Sequence, residues 1–319
     1  MGSDLSRRSF ARGAVASGLL SLASGGRADQ RTPLDDVNRM DETAFVRTFG
    51  PVYELSPWVA QAAFIKRPFA TVTALHQALA DAFAGGGTAR QIKFFHDLSD
   101  LGDKSAPSGA VSDQSRAEQA LSGVASLEAT DQALLMALNK AYRAKFDIAF
   151  TICVRRNSPA RIFSEFMRRM DNSVETELAI SLQEQFYITR LRIAEMVSGP
   201  GMPVVYGDVS AHVLNSVIGA PAEGVAVELH QLWGARSRKV GAAVTNTDGR
   251  ATLLSALPLP IGRYELRFGI GDYFRKTRTI GGGEKPFLDI VPMRIFIAKP
   301  EDSYHFPLIA APHGYSIHG

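Results

Sequence analysis

The period of the hydrophobic pattern changes once along this chain, and that change constrains the fold more than any other feature. As far as Val197 apolar residues recur at helical spacing; from about residue 207 they alternate strictly. Between the two regimes lies Ser198-Gly199-Pro200-Gly201-Met202-Pro203, which breaks a helix and reads as a short connection. A pattern written for a helix cannot present one buried face as a strand. The chain is therefore expected to be multi-domain: an all-α half at 31–198, a linker at 199–206 and an all-β half at 207–319.

In the helical half, Leu134, Leu138 and Tyr142 recur every four residues within 130–146, with Leu135 beside them. They predict one apolar helix face. Ser158-Pro159 predicts an N-cap followed by proline at the first helical position, with Ile162, Phe163, Phe166, Met167 and Met170 as the buried stripe. The spacing of Asn172 and Glu175 predicts the capped start of a long helix carrying Leu178, Leu182, Phe186 and Leu191. In the second half, Val225, Val227 and Leu229, then Tyr264, Leu266 and Phe268, then Met293, Ile295 and Ile297 alternate with polar residues. Turn clusters separate them, among them Asn246-Thr247-Asp248-Gly249 and Gly281-Gly282-Gly283, so a β-sandwich is expected.

Composition narrows the function. The surplus of 35 Lys+Arg over 32 Asp+Glu gives a net charge of only +3 with no concentrated basic patch, so no nucleic-acid partner is expected. One cysteine, Cys153, excludes an intramolecular disulfide framework and any cysteine-based zinc cluster. It reads as a small buried hydrophobe. No apolar run reaches the roughly 18–20 residues that span a bilayer, which argues against an integral membrane protein. Ser6-Arg7-Arg8-Ser9-Phe10, a small-residue apolar stretch and Gly26-Arg27-Ala28 have the layout of a twin-arginine export signal over 1–30. That reading starts the mature chain near Asp29 and places it in the periplasm; the alternative is a cytoplasmic protein with a basic N-terminus. The pairs Arg155-Arg156 and Arg168-Arg169 read as solvated helix ends or faces.

Histidine carries the sharpest chemical signal. His212 lies on the face of its strand opposite Val209, Ala211 and Val213; His305 stands near the end of the last strand, and Arg250 closes the turn 245–250. Two imidazoles and a guanidinium can activate water and hold an oxyanion in metal-free hydrolysis of an amide-like bond. The bland reading is three unrelated residues, each satisfied where it sits.

The motifs Ala211-His212-Val213-Leu214-Asn215, Gly219-Ala220-Pro221-Ala222, Thr245-Asn246-Thr247-Asp248-Gly249-Arg250, Tyr304-His305-Phe306-Pro307-Leu308 and Pro312-His313-Gly314-Tyr315-Ser316 occur in that order. Together they resemble 5-hydroxyisourate hydrolase, the enzyme branch of the transthyretin-like family. The resemblance implies a transthyretin-type sandwich, a homotetramer formed through this domain, sites at a subunit interface and no cofactor or metal. It puts His212, Arg250 and His305 on the catalytic positions. Two departures stand out. Asn215 replaces an aspartate, removing a charge next to the site. The family tail Tyr-Ser-Thr-Tyr-Arg-Gly-Ser reads Tyr315-Ser316-Ile317-His318-Gly319 here, leaving Ser316 and His318 as substrate contacts and implying weakened hydrolysis.

The helical half resembles the cofactor-free decarboxylase of 2-oxo-4-hydroxy-4-carboxy-5-ureidoimidazoline (OHCU), which acts on the hydrolase's product and yields (S)-allantoin. The residues that carry this are Phe49-Gly50-Pro51-Val52-Tyr53-Glu54-Leu55-Ser56-Pro57-Trp58-Val59, Arg67-Pro68-Phe69, Ser115-Arg116-Ala117-Glu118-Gln119, Leu138-Asn139-Lys140-Ala141-Tyr142 and Ile152-Cys153-Val154-Arg155. The resemblance assigns catalytic roles to Glu118 and Arg192 and substrate contacts to Ser115 and Gln119. It also requires a histidine acid/base, and without gaps Leu98 occupies that position. Leucine cannot move a proton, so the expectation is a decarboxylase-like domain that has lost its catalytic histidine. Ala149 likewise stands where the family has the proline of a substrate wall. Two alternatives stay open: a fully bifunctional enzyme in which His96 serves after an indel, and an exported transthyretin-like binding protein without turnover.

Overall fold

A computed structural model describes residues 31–54, 56–103, 113–122, 124, 127–255, 259–279 and 286–317. The segment 1–30 with its arginine pair, the triplet Gly281-Gly282-Gly283 and His318 with Gly319 lie outside them. The helical half opens with β1 (Thr32–Pro33) and continues through α1 (Leu34–Arg39), α2 (Glu42–Phe49), a 3-10 turn (Gly50–Tyr53) and α3 (Pro57–Phe64). There follow α4 (Val72–Gly85), α5 (Thr88–Asp97), α6 (Asp113–Ser122), α7 (Ala129–Phe146), α8 (Pro159–Arg169) and α9 (Val174–Met196), closed by β2 (Val197–Ser198). The β half comprises β3 (Val209–Asn215), β4 (Ala220–Pro221), β5 (Ala226–Trp233), β6 (Arg236–Val244), β7 (Arg250–Leu254), β8 (Gly262–Phe268), α10 (Ile270–Lys276), β9 (Val291–Ile297), β10 (Tyr304–Ala311) and β11 (Gly314–Ile317).

Local chemistry sets the helix starts. Asp41, Thr71, Ser158 and Ser173 each accept a hydrogen bond from the backbone N–H three residues on, satisfying a donor that the helix itself cannot. Ser158 with Pro159 is the expected pair. The long helix, however, is capped by Ser173 and not Asn172, whose amide instead donates to Glu177 at 2.8 Å. Apolar faces then build one core from Phe45, Phe49, Leu75, Leu135, Tyr142 and Phe166, among others. Leu134 and Met167 are exposed at 50% and 68%, so the stripes are rotated from the sequence expectation: Leu135, Tyr142 and Phe146 carry the α7 face.

The linker docks on the helical half: the Pro200 and Gly201 carbonyls accept from Val72 N–H at 2.9 Å and Thr73 N–H at 3.1 Å. Beyond it, two sheets pack face to face. One runs β11-β10-β3-β4 with β7 also paired to β3; the other runs β6-β5-β8-β9. Val209, Ala211 and Val213 from the first meet Val227, Leu229, Leu266 and Phe268 from the second. α10, which alternation did not announce, packs Ile270, Tyr273 and Phe274 into this core. The arrangement is the expected one, a helical domain followed by a β-sandwich.

Asn215 corrects one expectation. It lies three positions beyond His212, and side chains alternate along a strand, so the two point to opposite faces. Asn215 is buried on the core side, where its amide donates to the Tyr273 hydroxyl at 3.1 Å and its carbonyl accepts from Val217 N–H. It does not adjoin the histidines.

Arg155 and Arg169 correct another, for both are buried rather than solvated. Arg169, 1% exposed, is paired with the equally buried Glu177 and donates to the Thr151 carbonyl at 2.8 Å. The Tyr142 hydroxyl also donates to Glu177, so the carboxylate is held from three sides. A charge that deep persists only when paired and hydrogen-bonded.

Candidate functional sites

The outward face of the first sheet brings the two histidines and the arginine together. β3 is flanked by β7, antiparallel, with His212 directly opposite Arg250, and by β10, parallel, with His305 opposite Ser210. The turn before β7 sets Arg250 in place. Asn246 Oδ1 accepts from Asp248 and Arg250 N–H at 3.1 and 2.9 Å, and the Gly249 carbonyl accepts from Val213 N–H at 2.8 Å. Gly249 has φ +72°, and a Cβ there would run into the Val213 carbonyl, so no other residue fits that turn.

The imidazole rings of His212 and His305 stand 6.3 Å apart, centre to centre. His305 Nδ1 is hydrogen-bonded to the Ser210 hydroxyl at 2.9 Å. Partial burial, then the neighbouring Arg250 and His212, hold the His305 pKa below the usual histidine value. A neutral imidazole oriented through one nitrogen can take a proton from water with the other. Ser210 was not singled out from the sequence, although it precedes His212 by two in the same strand and so had to share its face. His305 sits at the start of β10, the penultimate strand, rather than near the end of the last. Ser316, on β11, pairs with Ile309, on the same face as His305.

A second cluster lies in the helical half, around a cavity of about 90 Å³. α6 presents Ser115, Glu118 and Gln119 to it on one face, and α9 presents Gln185 and Arg192. Arg192 is 2% exposed; it donates to both Glu118 oxygens at 3.1 and 2.8 Å, to the Ser115 hydroxyl at 2.8 Å and to the Val52 carbonyl at 3.1 Å. Burial opposes its charge, but Glu118 and then Glu54 outweigh that and hold its pKa above the usual arginine value. Gln119 accepts from Gly102 N–H at 3.1 Å. The four residues expected from the sequence are thus brought together.

Glu54, which carried no role in the sequence reading, completes the cluster: it accepts from Ser115 and lies 3.4 Å from Arg192. The buried side of α9 is polar, with Glu177, Ser181, Gln185, Thr189 and Arg192 recurring every three or four residues. That polar period was the available signal, and an apolar template passes over it. Leu98, the first residue after α5, lines the cavity. His96 does not: its side chain is 53% exposed and lies by Asp97 at 3.2 Å and Asp147 at 3.8 Å. The far wall is the segment 149–155 between α7 and α8, which includes Ala149 and the buried Cys153. Burial, then Glu184 and Glu118, push the Cys153 thiol up to about 12.

Among the described residues no helix is long and apolar enough to cross a membrane. Residues 38–194 match the model of the OHCU decarboxylase family, and residues 209–319 that of the HIUase/transthyretin family. A 2-oxo-4-hydroxy-4-carboxy-5-ureidoimidazoline decarboxylase of Haloferax volcanii is 36% identical over 52% of this chain and 96% of its own length. A 5-hydroxyisourate hydrolase of Halalkalibacterium halodurans is 42% identical over 35% of this chain and 96% of its own. A crystal structure of (S)-allantoin synthase covers 90% of this chain and 99% of its own at 24% identity, with a TM-score of 0.49. The chain belongs to both families, the OHCU decarboxylase family through its helical half and the HIUase/transthyretin family through its β half.

Proposed function

We propose that this chain works in urate breakdown and that its β half hydrolyses 5-hydroxyisourate. The observation that carries this is the convergence of His212, Arg250 and His305 on three neighbouring strands of one sheet face. In this reading the imidazoles position water and accept its proton as it adds to a ring carbonyl. Arg250 holds the oxygen that becomes negative, and the C–N bond then breaks to leave a carboxylate and an N–H. No metal or cofactor takes part. Ser210 orients His305, and Ser316 and His318 meet the substrate.

The helical half is read as an OHCU-type pocket without its proton carrier. Glu118 and Arg192, with Ser115 and Gln119, offer a charged, hydrogen-bonding floor suited to a ureide. Leu98 fills the place where the acid/base is required, and His96 faces solvent. We further read the segment 1–30 as a twin-arginine signal to the periplasm and the β half as the tetramerising domain.

The test follows urate turnover with added urate oxidase, in the presence of the purified chain from Asp29 onward. Ultraviolet absorbance reads loss of 5-hydroxyisourate and circular dichroism reads chiral allantoin. Faster loss of 5-hydroxyisourate than without protein, with no early (S)-allantoin, is the expected result. No acceleration of either step makes the chain a binding protein, and early (S)-allantoin makes it bifunctional.

A further inference from the structure

One wall of the helical cavity is anchored from both halves of the molecule. Its first part is held within the helical half: Ala149 N–H donates to the Phe95 carbonyl at 2.8 Å, Arg169 to the Thr151 carbonyl at 2.8 Å, and Cys153 N–H to Glu184 at 2.7 Å. Its far end is held by the β half. Ser158 N–H donates to the Ile261 carbonyl at 3.0 Å, and Ile261 N–H donates to the Arg156 carbonyl at 2.6 Å, forming a parallel bridge at Asn157. Arg156 is ion-paired with Glu301, in the loop that leads into β10, and both side chains are mostly buried. Arg155, itself part of the wall, is 8% exposed and donates to Glu195 at 2.8 Å and to the Tyr206 hydroxyl at the end of the linker. Tyr206 in turn donates to Glu195 at 3.0 Å.

We propose that the β half and the linker leading into it hold this wall shut, through Glu301 on Arg156 and Tyr206 on Arg155, and so set how readily the helical cavity opens. Glu301 and Tyr206 act through other residues and are positioning residues. Backbone pairing alone fixes the wall's path, while the two side-chain anchors fix how readily it opens. The reading of this cavity as a ureide pocket enters only in naming what the wall encloses.

The chain's one cysteine makes the wall observable. Cys153 is 1% exposed, so a thiol reagent reaches it only when the wall opens. The rate of Cys153 modification by 5,5′-dithiobis(2-nitrobenzoate) is measured on the full chain, with thermal unfolding of each variant alongside. Glu301→Gln and Tyr206→Phe are each expected to speed labelling about fivefold, the scale of losing one partly buried anchor from a local opening. Arg236→Gln removes a different ion pair between the halves, with Asp131 of α7 at 2.9 Å, in which no residue of the wall takes part; it is expected to leave the rate within about twofold. Unchanged labelling in Glu301→Gln and Tyr206→Phe overturns the proposal. So does equal acceleration in all three variants, or acceleration matched by an equal loss of global stability. Labelling needs no turnover, so a helical half that fails to decarboxylate leaves this result standing.

Discussion

His212 and Arg250 are directly opposed residues of antiparallel strands β3 and β7, which places an imidazole and a guanidinium side by side on one sheet face. His212→Asn or Arg250→Gln is expected to lower kcat/KM for 5-hydroxyisourate by about 10²–10³-fold with the fold intact. Steady-state absorbance assays check this, and hydrolysis that survives both changes at the wild-type rate removes the enzyme reading.

His305 supplies a pH test. Its pKa is depressed, so the neutral, proton-accepting form prevails at neutral pH and is lost as pH falls through that lowered value. kcat/KM is expected to fall on the acid side, with a midpoint below the usual histidine value. Arg250→Gln removes a nearby positive charge, so the His305 titration moves to higher pH. Two-dimensional NMR of the histidine ring protons measures both; a midpoint that moves down, or stays, contradicts the electrostatic account.

The helical cavity is tested by adding an imidazole where the proposed function requires one. Leu98→His places an imidazole on the cavity lining and is expected to raise (S)-allantoin formation by about 10²-fold over wild type. His96→Ala is expected to change it by less than about twofold, since that side chain lies outside the cavity. Circular dichroism at saturating OHCU reads both. Loss of activity in a folded His96→Ala chain establishes the bifunctional alternative.

Arg169 and Glu177 give a stability test. Arg169→Met strands the buried Glu177 carboxylate and is expected to cost about 3–5 kcal/mol, whereas Arg169→Met with Glu177→Leu costs clearly less. Urea unfolding of the single and double variants separates the two cases.

What the sequence disclosed follows from which period each residue obeys. The change at 199–206 is a matter of repeats, and the two halves of the fold follow it. His212 and Arg250 each sat on a recognisable strand or turn, but their pairing depends on register between strands 38 residues apart in sequence, which no local pattern states. The buried charges were missed for a different reason. Arg169 and Arg155 look like surface residues until their partners, Glu177 and Glu195, arrive from α9. Leu134 and Leu135 are adjacent leucines, and only the helix's packing partners decide which one turns inward. Asn215 was misplaced by proximity along the chain, where strand alternation, available from the start, puts it on the other face.

The two-residue sheet at the base of the helical half has a consequence for how such a chain is put together. β1 and β2 run parallel, with Thr32 beside Val197 and Pro33 beside Ser198, so the first and last residues of the helical half leave it at the same spot. A module whose ends coincide can be grafted onto a neighbour by either end, or circularly permuted, without reaching across its own body. The order of the two halves is then a matter of gene arrangement, with little demanded of the helical scaffold that carries the cavity.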